Sequence, residues 1–255
     1  MGETGGKNFH LVHPTADVEN VVINTVRGAF EYQGQKCSAT SRAYFPASLW
    51  EQCKPRLIEE VKKLKVGSPE SFDNFIGPVI HHGSFDKLSK AIDDAKNDPD
   101  LELVVGGTHD NSEGYFIHPT IYVTKDPRHK LMHTELFGPV LVIYVYDDAA
   151  PEAFGNICKT IDETSDYALT GAVFAQDRAA LRFAEEALRN TAGNFYLNCK
   201  STGAVVAQQP FGGARASGTN DKAGSANLMS RFVSMRAIKE AFVNEPEVLY
   251  PSNVV

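Results

Sequence analysis

An α/β fold built on a doubly wound, mostly parallel sheet is predicted from three features of the 255-residue sequence. Apolar, strand-like runs alternate with segments of helical period. Gly, Pro and Asp residues punctuate the gaps. The strand-like runs are apolar, as strands covered by helices on both faces are. A chain of this length buries a large core without disulfides or metals.

The elements follow in order. Residues 9–12 read as a strand, and Thr15 with acidic Asp17 and Glu19 opens a helix whose stripe is Val18, Val21, Val22, Val26, Ala29 and Phe30. A short strand at 43–45 precedes an amphipathic helix carrying Leu57, Ile58, Val61 and Leu64, and another helix covers 85–95. Strands rich in β-branched or aromatic residues come next, at 101–105, 116–123 and 140–146. Helices at 152–162 and 178–190 flank a strand at 170–175, and a strand at 194–197 follows. Residues 231–242 alternate weakly before the polar, Pro-containing tail 244–255. No internal repeat or low-complexity segment interrupts the pattern.

Composition excludes several classes. Charged residues at 22% and hydrophobic residues at 42% are ordinary globular values, which argues against disorder and collagen-like structure. A net charge of −7 with only 25 Lys and Arg spread along the chain offers no basic stripe, so nucleic acid is not expected as a partner. No apolar run reaches bilayer length, and residues 1–4 show neither a secretory nor an Arg-rich targeting pattern, so no membrane partner is expected.

Cys37, Cys53, Cys158 and Cys199 form no CxxC pair and no zinc-type spacing with His, which points to reduced thiols in an intracellular protein. Cys53 and Cys158 fall in helical-looking runs and read as small buried hydrophobes, while Cys199 ends an apolar run. Cys37 differs. It follows a helix through Gly34 in the small, polar run GQKCSATS, where a thiol can be exposed and Lys36 can support its thiolate. The spacing of His129, His133 and Glu135 is more often that of solvated side chains than of ligands, and no metal is expected. Neither GxGxxG nor a P-loop occurs, so most of the binding surface for any nucleotide is expected elsewhere; the Gly-rich run 211–218 reads as a loop beside a site.

Four strings, ETGGKNF (3–9), GQKCSA (34–39), ELFGPV (135–140) and PFGGARASG (210–218), stand in the order found in aldehyde dehydrogenases, and the chain resembles that family over nearly its whole length. Asn8 and Phe9 after GGK, Lys36 before the cysteine and TNDKAG after ASG resemble the eukaryotic branch that oxidises glutamate γ-semialdehyde. The resemblance implies a mechanism. Cys37 is its nucleophile and Glu3 the base that activates water for thioester hydrolysis; Glu135 and Phe137 meet the ribose and ring of NAD. It also implies that Ser38 and the turn of Gly203 and Ala204 supply donors to the substrate carboxylate, with Phe211 as an aromatic wall; Ala204 stands where some relatives carry serine. Read without the resemblance, Glu3 is a solvated terminal acid, Gly203 a turn residue, Phe211 a core aromatic, and Glu135 and Phe137 surface residues.

The domain expectation is a catalytic domain at 1–230 and a C-terminal oligomerisation strand and tail at 231–255, the family's NAD-binding domain lying before the Glu motif and being absent here. The chain alone is therefore expected to lack turnover and to work as a homo-oligomer or with a complementary NAD-binding half, on a small aldehyde. The mitochondrial matrix is the implied location, with the cytoplasm open because no targeting segment is visible. Two other functions stay open: a cofactor-free cysteine hydrolase or acyltransferase, for which no His base is singled out, and a non-catalytic fragment that associates with full-length subunits.

Overall fold

A computed structural model describes residues 1–253. In chain order its elements are β1 (Asn8–Val12), α1 (Val18–Phe30), β2 (Thr40–Pro46), α2 (Ala47–Lys62), α3 (His82–Ala95), β3 (Leu101–Val105), β4 (His109–Asp110), β5 (Phe116–Ile117) and β6 (Thr120–Thr124). They continue with α4 (Lys130–His133), β7 (Val140–Tyr146), α5 (Ala153–Thr164), β8 (Tyr167–Ala168), β9 (Thr170–Phe174), α6 (Arg178–Ala187), β10 (Asn194–Leu197), β11 (Ala214–Arg215) and α7 (Ala226–Met229).

Seven strands form one sheet in the order β10-β9-β1-β2-β7-β6-β3. Every neighbouring pair is parallel except β3 and β6, which run antiparallel at the edge. Both faces are covered, as the apolar strands predict. In β7, Val140, Val142 and Tyr146 join the core under α3, α5 and α6, whereas Leu141 and Ile143 join the core under α1 and α2. Helix α1 starts where Asp17 accepts a hydrogen bond from Asn20 N–H at 2.8 Å, and it buries Val21, Val22, Val26, Ala29 and Phe30.

Two expectations differ from the structure. The strand read at 116–123 breaks into β5 and β6 around Pro119, which has no N–H to give a ladder; β5 pairs with β4 and β6 with β7. The expected C-terminal strand at 231–242 is not formed. Val233 has extended backbone angles, but no described strand lies beside the segment, and Met235 and Phe242 are 84% and 90% exposed. Strand geometry needs a neighbour to complete its hydrogen bonds. Among the described residues no helix is long and apolar enough to cross a membrane.

Candidate active site

Three loops meet at the N-terminal edge of the parallel strands: residues 3–7 before β1, 35–39 before β2 and 134–139 before β7. The chain reaches this edge from α1 through a tight reversal in which Tyr32, Gln33 and Gly34 all take positive φ. At Gly34 a side chain would meet the Gly138 carbonyl at 2.5 Å, so only glycine lets the two loops touch. A turn then closes with Ala39 N–H donating to Lys36 O at 3.0 Å, and Cys37 and Ser38 lie inside it.

The Cys37 loop is held from behind. Asn8 donates through Nδ2 to the carbonyls of Cys37 at 2.7 Å and Ala39 at 2.8 Å. Its Oδ1 accepts Thr170 N–H at 3.1 Å. Gly6 lies against the same Cys37 carbonyl, where any Cβ would collide. The Ser38 carbonyl accepts from Ser201 Oγ at 3.2 Å, and Ser38 Oγ lies 2.6 Å from Thr202 Oγ1.

The electrostatics of Cys37 differ from the sequence expectation. Burial, then the Glu3 carboxylate, push its thiol above the usual range; backbone N–H groups of Ser38 and Cys37 facing the sulfur act in the opposite sense. Lys36 gives no support. Its ammonium pairs with Glu31 at 3.0 Å, beside Lys200 at 2.6 Å from the same carboxylate. Although burial pushes Glu31 upward, hydrogen bonds from Lys200 and Lys36 hold its carboxyl below the ordinary value. Burial and the Glu3 charge thus favour the thiol over the thiolate at Cys37.

Six residues singled out from the sequence, Cys37, Ser38, Phe137, Gly203, Ala204 and Phe211, line one cleft of about 630 Å³. Gly203 turns at φ 98°, and Phe137 stands 40% exposed at φ 59°. Phe211 is half-buried rather than a core aromatic; its backbone pairs in both directions with Ala223, at 2.9 and 2.7 Å. Lys222 Nζ grips the neighbouring carbonyls of Gly193 and Gly212.

The other two residues sit at the margins. Glu3 is exposed, yet its backbone bridges Gly218, and Thr4 N–H donates to Ser217 O at 3.1 Å, so it belongs to a paired segment. It lines a depression of about 100 Å³ that shares Phe211 with the main cleft. Glu135 Oε1 accepts Gly6 N–H at 2.8 Å. Gln35 and Gln209 also line the cleft, and nothing in their sequence setting distinguishes them. Asn8 was legible only as part of a motif, although a carboxamide opening an apolar strand signals a buried polar role. Cys53 and Cys158 are buried as expected, with thiols pushed up to about 11 and about 12 by burial; Cys199 is exposed.

This geometry suits covalent capture of a small electrophile by a thiol, with neutral donors and an aromatic ring around it. Comparison with known proteins adds identity to shape. The aldehyde dehydrogenase family model matches residues 1–238. Delta-1-pyrroline-5-carboxylate dehydrogenase, mitochondrial, of Emericella nidulans is 63% identical over 253 residues, covering 99% of this chain and 44% of that protein. Probable delta-1-pyrroline-5-carboxylate dehydrogenase of Schizosaccharomyces pombe is 56% identical over 255 residues, 99% of this chain and 46% of that one. The crystal structure of the Mycobacterium tuberculosis Delta-pyrroline-5-carboxylate dehydrogenase bound with NAD superposes with a TM-score of 0.86 at 45% identity, covering 100% of this chain and 46% of that chain. The chain thus spans less than half the length of these relatives.

Proposed function

The chain belongs to the aldehyde dehydrogenase family, and on that premise we propose that it is the cysteine-bearing part of an NAD-dependent enzyme oxidising L-glutamate γ-semialdehyde to L-glutamate in proline degradation. The observation that carries this reading is the convergence of Cys37, Ser38, Gly203, Ala204 and Phe211 on one cleft. A semialdehyde of this kind has a reactive carbonyl at one end and a carboxylate at the other. Cys37 meets the first, and the Ser38 hydroxyl with the Gly203 turn meets the second, while Phe211 covers the methylenes.

Cys37 Sγ bonds to the aldehyde carbon, its thiol proton leaves, and the carbonyl oxygen becomes an oxyanion close to the N–H groups of Cys37 and Ser38. NAD held beside Phe137 and Glu135 would supply the hydride acceptor for that carbon, and the acyl group would then remain on Cys37 as a thioester. Water then attacks the thioester as Glu3 removes its proton; the C–S bond breaks, and glutamate and the free thiol result. Phe137, exposed in the same cleft, suits contact with a nicotinamide ring. Glu135 has one oxygen anchored by Gly6 and the other left to accept from a ribose hydroxyl.

Expressed alone, the chain captures aldehydes without turning them over, because Glu135 and Phe137 by themselves give NAD few contacts. A complementary NAD-binding half completes it, and the exposed apolar residues Phe232, Met235, Ile238 and Phe242 support association with that half or with further copies of the chain. The mitochondrial matrix is the proposed location, from the names of relatives. No histidine lines the cleft among the described residues, so a Cys–His hydrolase gains no support.

The test is calorimetric titration with NAD beside an assay of NADH formation, for this chain and for a longer protein containing it. The longer protein is expected to oxidise glutamate γ-semialdehyde and to lose that activity in Cys37→Ser. Robust turnover by this chain alone would overturn the partial-enzyme reading. Equal preference of the longer protein for propanal would overturn the substrate.

A further inference from the structure

His10 sits in the middle of β1 with no solvent exposure and is bonded on both ring nitrogens. Ser201 N–H donates to Nε2 at 3.2 Å. A backbone amide can only donate, so Nε2 carries no proton, and the Nδ1 hydrogen is directed to Thr25 Oγ1 at 3.2 Å. Burial agrees with a neutral ring, holding its pKa down to about 3. The Thr40 hydroxyl lies 2.8 Å from Nε2 and 2.9 Å from Ser201 Oγ, which in turn donates to the Ser38 carbonyl. One ring therefore touches α1, β2 and the turn after β10. Gly28 makes room for it: a side chain there would reach Thr40 Oγ1 at 2.5 Å and His10 Cε1 at 3.3 Å.

We infer that His10 is a positioning residue that locks the 201–204 turn to the Cys37–Ser38 loop, so that the donors for the substrate carboxylate and the nucleophile keep a fixed separation. His10 touches no part of the cleft and acts only through Ser201 and Thr40. The specificity consequence rests on the function proposed above; the locking itself does not. The two loops lie far apart in sequence, and the remaining direct tie between their side chains is Ser38 to Thr202. Loss of the acceptor at Nε2 leaves a buried N–H without a partner, and the turn can relieve that only by moving.

The experiment compares wild-type chain, His10→Leu, His10→Gln and Thr40→Val. Amide hydrogen exchange over peptides containing 38–40 and 200–204 is read beside protection of Cys37 from iodoacetamide by L-glutamate. In His10→Leu, exchange of the 200–204 peptide should rise about tenfold while the β6–β7 peptides stay unchanged, a loss on the order of one lost hydrogen bond. Glutamate protection should weaken several-fold in the same variant. His10→Gln restores an acceptor near the Nε2 position and should recover both; Thr40→Val should show a partial loss, and it keeps the test decisive if His10→Leu does not fold. Unchanged exchange at 200–204 in Thr40→Val and in every folded His10 variant would overturn the inference, as would equal loss in His10→Gln and His10→Leu. If glutamate fails to protect Cys37 in the wild type, the substrate reading fails while the exchange data still judge the lock.

Discussion

Asn8 donates from Nδ2 to the Cys37 carbonyl at 2.7 Å, so the Cys37 loop hangs on the first residue of β1, an interior strand of the sheet. The same carboxamide serves Ala39 and Thr170, which ties β2 and β9 to that point. Asn8→Ala leaves buried carbonyls and an N–H unpartnered, at about 1–3 kcal/mol for an unmet buried group. At this size that lowers Tm by about 2–4 °C per kcal/mol. Thermal unfolding checks it, and an unchanged Tm would mean the carboxamide is dispensable.

Glu3 is close enough to Cys37 for its charge to raise the thiol pKa, second only to burial. Glu3→Gln should therefore lower that pKa, enlarge the thiolate fraction at neutral pH and speed alkylation of Cys37. Peptide mapping is needed because exposed Cys199 reacts in parallel, while buried Cys53 and Cys158 react last. The midpoint of the pH–rate profile should move to lower pH in Glu3→Gln and stay in place in Lys36→Met, since the Lys36 charge is engaged by Glu31. A shift in the Lys36 variant alone would reverse the electrostatic assignment.

Two buried cations-in-waiting set the pH dependence of stability. Burial holds His10 at about 3 against 6.5, and burial followed by Arg42 holds Lys7 at about 7 against 10.5. Both pKa values are depressed in the folded state, so between 3 and 6.5 for His10, and between 7 and 10.5 for Lys7, the unfolded chain binds more protons. Stability must then rise with pH through each window. Urea unfolding at pH 5, 7 and 9 should show increasing stability, with the acid limb flattened in His10→Gln and the alkaline limb in Lys7→Met. A fall in stability from pH 7 to 9 that Lys7→Met leaves untouched would contradict the burial of a neutral lysine.

Gly6→Ala tests the close approach of the loop before β1 to the Cys37 carbonyl. A methyl group there also falls 2.9 Å from Asn8 Oδ1, so both the loop and its tether must shift. The expected result is a changed alkylation rate at Cys37 with an unchanged rate at Cys199. Equal rates at Cys37 in the two proteins would show that the contact carries no constraint.

The strands and helices were legible because their apolar residues repeat with the period of a sheet or helix buried on one side or both; Leu141 and Ile143 against Val140 and Val142 are such a case. The gathering of Cys37, Ser38, Gly203, Ala204 and Phe211 was legible only through motifs, since no local pattern brings position 38 to position 203. What escaped was side-chain direction. Lys36 adjoins Cys37 in sequence but points to Glu31, a choice made jointly with Lys200. The tie between His10 and Ser201 escaped for the same reason: a polar residue inside β1 announces a buried partner but not which one. Pro119 could have been read, because a residue without an N–H breaks a ladder wherever it falls. The expected strand at 231–242 could not be decided locally, since its formation depends on a neighbour.

Capture of the aldehyde by Cys37 is tested most directly by alkylation of the chain with limiting iodoacetamide, mapped by peptide, in the presence of L-glutamate γ-semialdehyde or of pentanal. Thiohemiacetal formation needs no cofactor, so the semialdehyde should slow labelling of Cys37 at lower concentration than pentanal does and leave Cys199 unaffected. Labelling of Cys37 at the same rate with and without the semialdehyde, or equal protection by both aldehydes, would contradict the assignment of this cleft.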